Sequence, residues 1–116
     1  MTVRECYELI GADYDKVLGW LVDDSFIEKF IKKFAVSNYY QPIETALNED
    51  DYESAFKNVH SLKGVAANLG LDKLFEVSSE LCEELRHGKP DKDVSGMLEN
   101  IRKEHDRIIK FVRNLD

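Results

Sequence analysis

Asp51-Tyr-Glu-Ser-Ala-Phe-Lys-Asn-Val-His60-Ser-Leu-Lys63-Gly64-Val-Ala-Ala-Asn-Leu-Gly70 is the stretch from which the fold can be read. Its apolar residues Ala55, Val59, Leu62, Ala66 and Leu69 recur at steps of three and four, which is one face of an amphipathic helix. Asp50 or Asp51 can cap the start, and Gly70 is suited to end the helix in a left-handed conformation. At about 100° per residue, His60 projects well away from the centre of the apolar face. Phe56, Lys63 and Gly64 are its neighbours one turn away, and Ala67 follows a turn later. A mid-helix glycine costs about 1 kcal/mol relative to alanine, so it demands a reason, and close approach by a ligand or partner is one. Lys63 adds a point charge suited to an anion. An exposed imidazole, a cation and a residue without a side chain together describe a nucleophile whose product is anionic and needs room.

Towards the N-terminus the same helical period continues. Thr2 to Ile10 predicts a short helix with Val3, Cys6, Tyr7 and Ile10 inward, closed by Gly11. A second short piece runs from about Asp13 to Leu21, carrying Tyr14, Val17, Leu18 and Leu21, with Trp20 packing onto the rest and Gly19 interrupting its regularity. Ser25-x-x-Glu28 reads as a capping box that opens a helix to Val36. Phe26, Ile27, Phe30, Ile31 and Phe34 make a wide apolar stripe there, read as core packing, with Lys29, Lys32 and Lys33 on the solvated side. Asn38 can cap a shorter connecting helix to Asn48, with Pro42 tolerated in its first turn and Ile43, Ala46 and Leu47 buried.

Towards the C-terminus, Asp72 to His87 predicts a helix with Leu74, Val77, Ser78, Leu81 and Leu85 inward. Glu76, Glu80, Glu83 and Glu84 make its other face acidic, and His87-Gly88-Lys89-Pro90 stops it. The tight corner at Leu69-Gly70-Leu71 implies antiparallel packing on the preceding helix. The last helix runs from about Asp93 to Asn114. Val94, Leu98, Ile101, His105, Ile108, Val112 and Leu115 form a bundle seam, and Arg102, Lys103, Arg107, Lys110 and Arg113 lie outside with Glu99, Glu104 and Asp106. The expected fold is all-α: an antiparallel (up-down) four-helix bundle with short additional N-terminal helices. It forms one domain over residues 1–116, with a helical segment at 1–22 and the bundle at 23–116.

Composition narrows the function. The 116 residues, 43% hydrophobic and 34% charged, are enough for one core without disulfides or a metal. A net charge of −7 argues against general binding to nucleic acid or anionic membranes. The longest apolar run, Val17 to Val22, is too short to span a bilayer, and the N-terminus is not a secretory signal, so a cytoplasmic location is expected. Cys6 and Cys82 read as reduced, small hydrophobic residues. Met1 and an orderly C-terminus favour a free-standing protein. Glu84-x-x-His87 is one half of a di-iron bundle motif without its second copy, so no metal site is expected.

His60-Ser-Leu-Lys63-Gly64, followed by Ala67-Asn68-Leu69-Gly70, resembles the signature of histidine-containing phosphotransfer (HPt) domains, and the likeness extends over nearly the whole chain in helix order and length. In that family the histidine carries a phosphoryl group between aspartates of receiver domains. The resemblance therefore implies that His60 is the phospho-acceptor, that Lys63 contacts the phosphoryl oxygens and that Gly64 clears space for them. Several family members place a glutamine on the following helix to hold the histidine ring. The matching position here is Cys82, so Ser78, Ser79, Cys82, Glu83 or water is left to orient the ring. Phe56, Lys57 and Ala67, joined by Val3 and Tyr7 of the first helix, are the expected docking surface.

Phosphoryl transfer relies mostly on positioning and electrostatics. The chain has no Walker loop, kinase glycine loop or acidic metal pocket near His60, so the receiver domain is expected to bring both aspartate and Mg²⁺. The expected protein is a monomeric phosphocarrier without kinase activity, partnered by response-regulator receiver domains or a hybrid sensor histidine kinase. The competing reading is a helical interaction module that binds a signalling partner without being phosphorylated. His105 reads as a structural residue with one hydrogen-bond partner, and His87 as a helix-end cation.

Overall fold

Short polar side chains open most of the helices. The computed structural model describes residues 1–115, in which helices follow in the order α1 (Val3–Ile10), α2 (Tyr14–Leu21), α3 (Asp24–Val36), α4 (Gln41–Asn48), α5 (Tyr52–Asn68), α6 (Asp72–Leu85) and α7 (Ser95–Val112). No strand occurs among the described residues. Thr2 and Glu5 form a reciprocal capping box on α1, Asp13 accepts from the Lys16 amide on α2, and Asp51 accepts from the Ser54 amide on α5. The capping box expected at Ser25 and Glu28 does not start α3. Asp23 caps it instead, accepting from the amides of Ser25 and Phe26 at 2.6 and 3.3 Å, because its carboxylate stands ahead of Ser25 and reaches those amides first. Asn38 accepts from the Gln41 amide at 2.9 Å as expected, but α4 begins only at Gln41, with Pro42 in its first turn. α6 stops at Leu85, short of His87, and α7 lies inside the expected span.

α5 is the axis of the bundle. It packs most extensively on α6 and then on α4, while α6, α1 and α3 close against α7. Ala55, Val59, Leu62, Ala66 and Leu69 are all buried, as their spacing predicts. Burying one Val or Leu side chain contributes about 1.5–3 kcal/mol, so this face outweighs the roughly 1 kcal/mol cost of Gly64. The α5–α6 corner is a full Schellman turn. Gly70 sits at φ +67°, the Leu71 amide donates to Ala66 O at 2.9 Å, and the Gly70 amide donates to Ala67 O at 3.3 Å. This short reversal sets α5 and α6 antiparallel.

The N-terminal helices secure that same corner. The Trp20 indole N–H donates to Asn68 O at 2.8 Å, the Tyr7 hydroxyl to Leu69 O at 2.8 Å, and the Asp13 amide to Gly70 O at 3.1 Å. These consecutive carbonyls at the end of α5 would otherwise lack partners. Val3, Cys6, Tyr7, Ile10, Tyr14 and Val17 are buried in the same core as the bundle helices, so α1 and α2 are part of one hydrophobic unit.

Several packing expectations need correction. Ile27, Ile31 and Phe34 are buried, but Phe26 and Phe30 are 50% and 39% exposed. α3 is covered by α1, α2 and α7, which shield only the Ile27–Ile31–Phe34 sector of the stripe and leave its edge open. Trp20 is also half exposed, anchored by its indole N–H and only partly packed. On α7, Glu104 is buried instead of solvated. It pairs with Arg107, whose guanidinium also donates to Ile10 O at 2.5 Å, closing the end of α1. His105 is buried on the seam, but neither ring nitrogen has a hydrogen-bond partner among the described residues. The Asp106 carboxylate stands 3.7 Å from Nδ1, beyond bonding reach, and the ring packs edge-on against Phe34 with centroids 5.4 Å apart.

Candidate functional site

The exposed face of α5 carries His60, Gly64 and Lys57, with Phe56, Lys63 and Ala67 half-buried at its margins. The helix can spare this face because its buried stripe and its capped ends already fix it in place. The Phe56 ring lies 5.9 Å from the His60 ring, centroid to centroid, at an interplanar angle of 36°. No hydrogen bond or ion pair reaches the His60 ring from any described residue. Both ring nitrogens are therefore unengaged among the described residues.

Gly64 is not required by the packing. It lies inside α5, and a Cβ built on it would meet nothing within 4 Å. Gly19 and Gly96 have the same freedom, so open space alone does not mark a site. What distinguishes Gly64 is its place one turn beyond an unengaged imidazole. Gly70 is the opposite case: a Cβ there would meet Val17 Cγ2 at 2.5 Å and Asp13 O at 2.8 Å.

Lys63 leans towards α6. Its ammonium lies 5.6 Å from the centroid of the Phe75 ring and forms no ion pair among the described residues. It is close enough to α6 to act electrostatically there. Burial pushes the Cys82 thiol up, and the Lys63 ammonium works against that shift. The Arg86 guanidinium, hydrogen-bonded to Glu83, holds that carboxyl below the usual range, with Lys63 adding a smaller pull.

None of the residues considered for orienting the ring bonds to it. Ser79 Oγ donates to Phe75 O at 2.7 Å, an i−4 bond within its own helix. Glu83 is taken by Arg86. Ser78 and Cys82 are fully buried, and the Ser78 hydroxyl has no hydrogen-bond partner among the described residues. On the docking side, Val3 and Tyr7 are buried in the core and unavailable to a partner. Lys57 is exposed and pairs with Glu53 at 3.2 Å. Both cysteines are free and buried. No cluster of three or more His, Cys, Asp or Glu side chains suited to a metal occurs among the described residues.

Two features escaped the sequence reading. Phe75 is an aromatic residue on the acidic, outward side of α6, a position whose period alone marks it as unusual. A groove of about 310 Å³ runs beside α5, lined by Trp20, Phe30, Tyr39, Val65 and Asn68 among others. It was hidden because Phe30 and Trp20 read as core.

A family model for the Hpt domain matches residues 35–110, from the end of α3 through most of α7. The chain belongs to the Hpt domain family. Hpt domains are helical bundles that act as phosphocarrier modules in phosphorelays, working with receiver domains and histidine kinases. His60, Lys63 and Gly64 all lie inside the matched region, whereas α1 and α2 lie outside it. Neither a curated protein nor a solved structure matches the chain. No helix among the described residues of this Hpt domain is long and apolar enough to cross a membrane.

Proposed function

We propose that this Hpt domain carries a phosphoryl group on His60 and passes it to and from the aspartate of receiver domains. The observation that carries the reading is the exposed His60 imidazole, one turn from a lysine, with no hydrogen bond to its nitrogens and no carboxylate paired with that lysine among the described residues. In the forward step the unprotonated ring nitrogen attacks phosphorus of the receiver's aspartyl phosphate. A nitrogen–phosphorus bond forms, the phosphorus–oxygen bond to the carboxylate breaks, and the carboxylate leaves with that electron pair. The other ring nitrogen keeps its proton, and the reverse step restores the starting groups.

Lys63 offset charge on the phosphoryl oxygens is the second part of the proposal. A charge-assisted contact is about twice as strong as a neutral one, and an ammonium already paired with a carboxylate would have to give that pair up first. Gly64 leaves room for those oxygens and for the incoming receiver backbone. The Mg²⁺ that receiver chemistry uses is assigned to the receiver, and the chain itself is assigned no kinase activity. Docking is assigned to Phe56, Lys57 and Ala67, with the Trp20–Phe30 groove as adjoining apolar area. A partner that must leave after transfer needs a modest interface, below about 1,600 Å² in total.

The test is transfer from Mg²⁺-loaded, phosphorylated receiver domains to the wild type and to His60→Gln. Phosphate on the wild type alone supports the carrier reading. Stable receiver binding with no phosphate on either protein would replace it with a binding module that works without phosphorylation.

A further inference from the structure

Lys63 stands beside a helix rich in carboxylates that could silence it. The outer face of α6 carries Glu76, Glu80, Glu83 and Glu84, and an ammonium beside α6 would ordinarily settle on one of them. Instead Glu83 is occupied by Arg86, Glu84 pairs with Lys92, and the Lys63 ammonium rests over the Phe75 ring at 5.6 Å. An aromatic face attracts a cation through its quadrupole but carries no net charge. It holds the ammonium without neutralising it. Phe75 is 37% exposed, so its ring is open to the ammonium as well as to solvent.

We propose that Phe75 is a positioning residue for phosphoryl transfer, whose ring keeps the Lys63 ammonium unpaired with the carboxylates of α6 and so available to the phosphoryl group on His60. The inference rests on the reading of His60 and Lys63 given above. Without the ring, Lys63 is free to compete with Arg86 for Glu83, the α6 carboxylate its charge already reaches, and each transfer must first break that pair. A cation–π contact at an exposed site corresponds to roughly a two- to fivefold change in an equilibrium constant, which sets the size of the effect. Leucine keeps apolar area at position 75 but has no quadrupole. Tryptophan has the strongest one.

The experiment measures single-turnover phosphorylation of His60 in the wild type, Phe75→Leu, Phe75→Trp, Lys63→Ala and the Lys63→Ala/Phe75→Leu double variant. Each is tested with a phosphorylated receiver and with phosphoramidate, a small donor that needs no docking surface. Lys63→Ala is expected to slow both reactions about tenfold, in line with loss of a contact to a charged group. Phe75→Leu should slow both about two- to fivefold, Phe75→Trp should restore the wild-type rate, and the double variant should match Lys63→Ala. An effect of Phe75→Leu that persists undiminished without Lys63, or that is seen only with the receiver, would make Phe75 a docking residue and overturn the inference. Failure of Phe75→Trp to rescue would do the same. A wild-type rate for Lys63→Ala would overturn the reading of Lys63 itself, and the inference with it.

Discussion

Two histidines of this Hpt domain occupy opposite environments. His60 stands on the exposed face of α5 beside the Phe56 ring, with nothing hydrogen-bonded to its nitrogens among the described residues. His105 lies on the α7 seam, 3% exposed, against Phe34, and its nitrogens equally lack hydrogen-bond partners among the described residues. The same lack of hydrogen bonds means different things in the two places. In water an unpaired imidazole is solvated and available to react. In the core it is held neutral, because charging it without a partner is costly. The glycines repeat the contrast: Gly64 faces open space, whereas Gly70 is pressed against Val17 and Asp13 at a positive φ. The proposed phosphoryl site sits where the packing asks for nothing.

The largest expected effect breaks the open face alone. Gly64→Gln should slow phosphotransfer roughly a hundredfold, since misplacement of the reacting group by about 1 Å can cost that much. Its fold should be at least as stable as the wild type, because leaving glycine in an exposed helix gains up to about 1 kcal/mol. Urea unfolding and transfer rates on the same protein check both halves, and an unchanged rate would remove the functional reason for that glycine.

Gly70→Ala should do the reverse. Forcing a side chain into a left-handed conformation costs about 1–3 kcal/mol, and the contacts at 2.5 and 2.8 Å add to it. Where the variant remains folded, transfer per folded molecule should be little changed. Loss of transfer without loss of stability at position 70 would break the division between the two regions.

The smallest effect is a pH dependence. Burial holds the His105 imidazole below its ordinary value of 6.5, with the nearby Asp106 carboxylate opposing the shift only in part. Between the folded value and 6.5 the unfolded chain binds a proton that the folded chain refuses. The stability linked to His105 is therefore complete above about pH 6.5 and is lost as the pH falls through the folded value. Replacing His105 with leucine should flatten the fall of the urea midpoint on acidification. An unaltered slope would mean that the buried imidazole takes up its proton as freely as an exposed one.

Much of this division is legible in the residue pattern. The 3–4 spacing of Ala55, Val59, Leu62, Ala66 and Leu69 places His60 on the outside, and Gly70 ends the helix as its left-handed φ requires. Edges of stripes are not legible. Phe26 and Phe30 continue an apolar period, but whether an edge is covered depends on how far the neighbouring helices extend over it. Side chains that cap a distant element are likewise invisible locally. Tyr7, Trp20 and Asp13 serve carbonyls more than fifty residues away, or nearly so, and Arg107 closes α1 from the last helix. The contact between Lys63 and Phe75 belongs to the same class, since it joins residues of two helices whose facing register is set only by the fold.

If this protein is a phosphocarrier, the chemistry belongs to the open histidine. The most direct measurement is to phosphorylate the wild-type protein and locate the phosphate by phosphorus–proton correlation in NMR, using the ring protons of each histidine. The expected result is an acid-labile, base-stable phosphorus–nitrogen bond on the His60 imidazole, with His87 and His105 unmodified. Phosphate on either of those residues, or on a carboxylate as an acid-stable, base-labile ester, would contradict it.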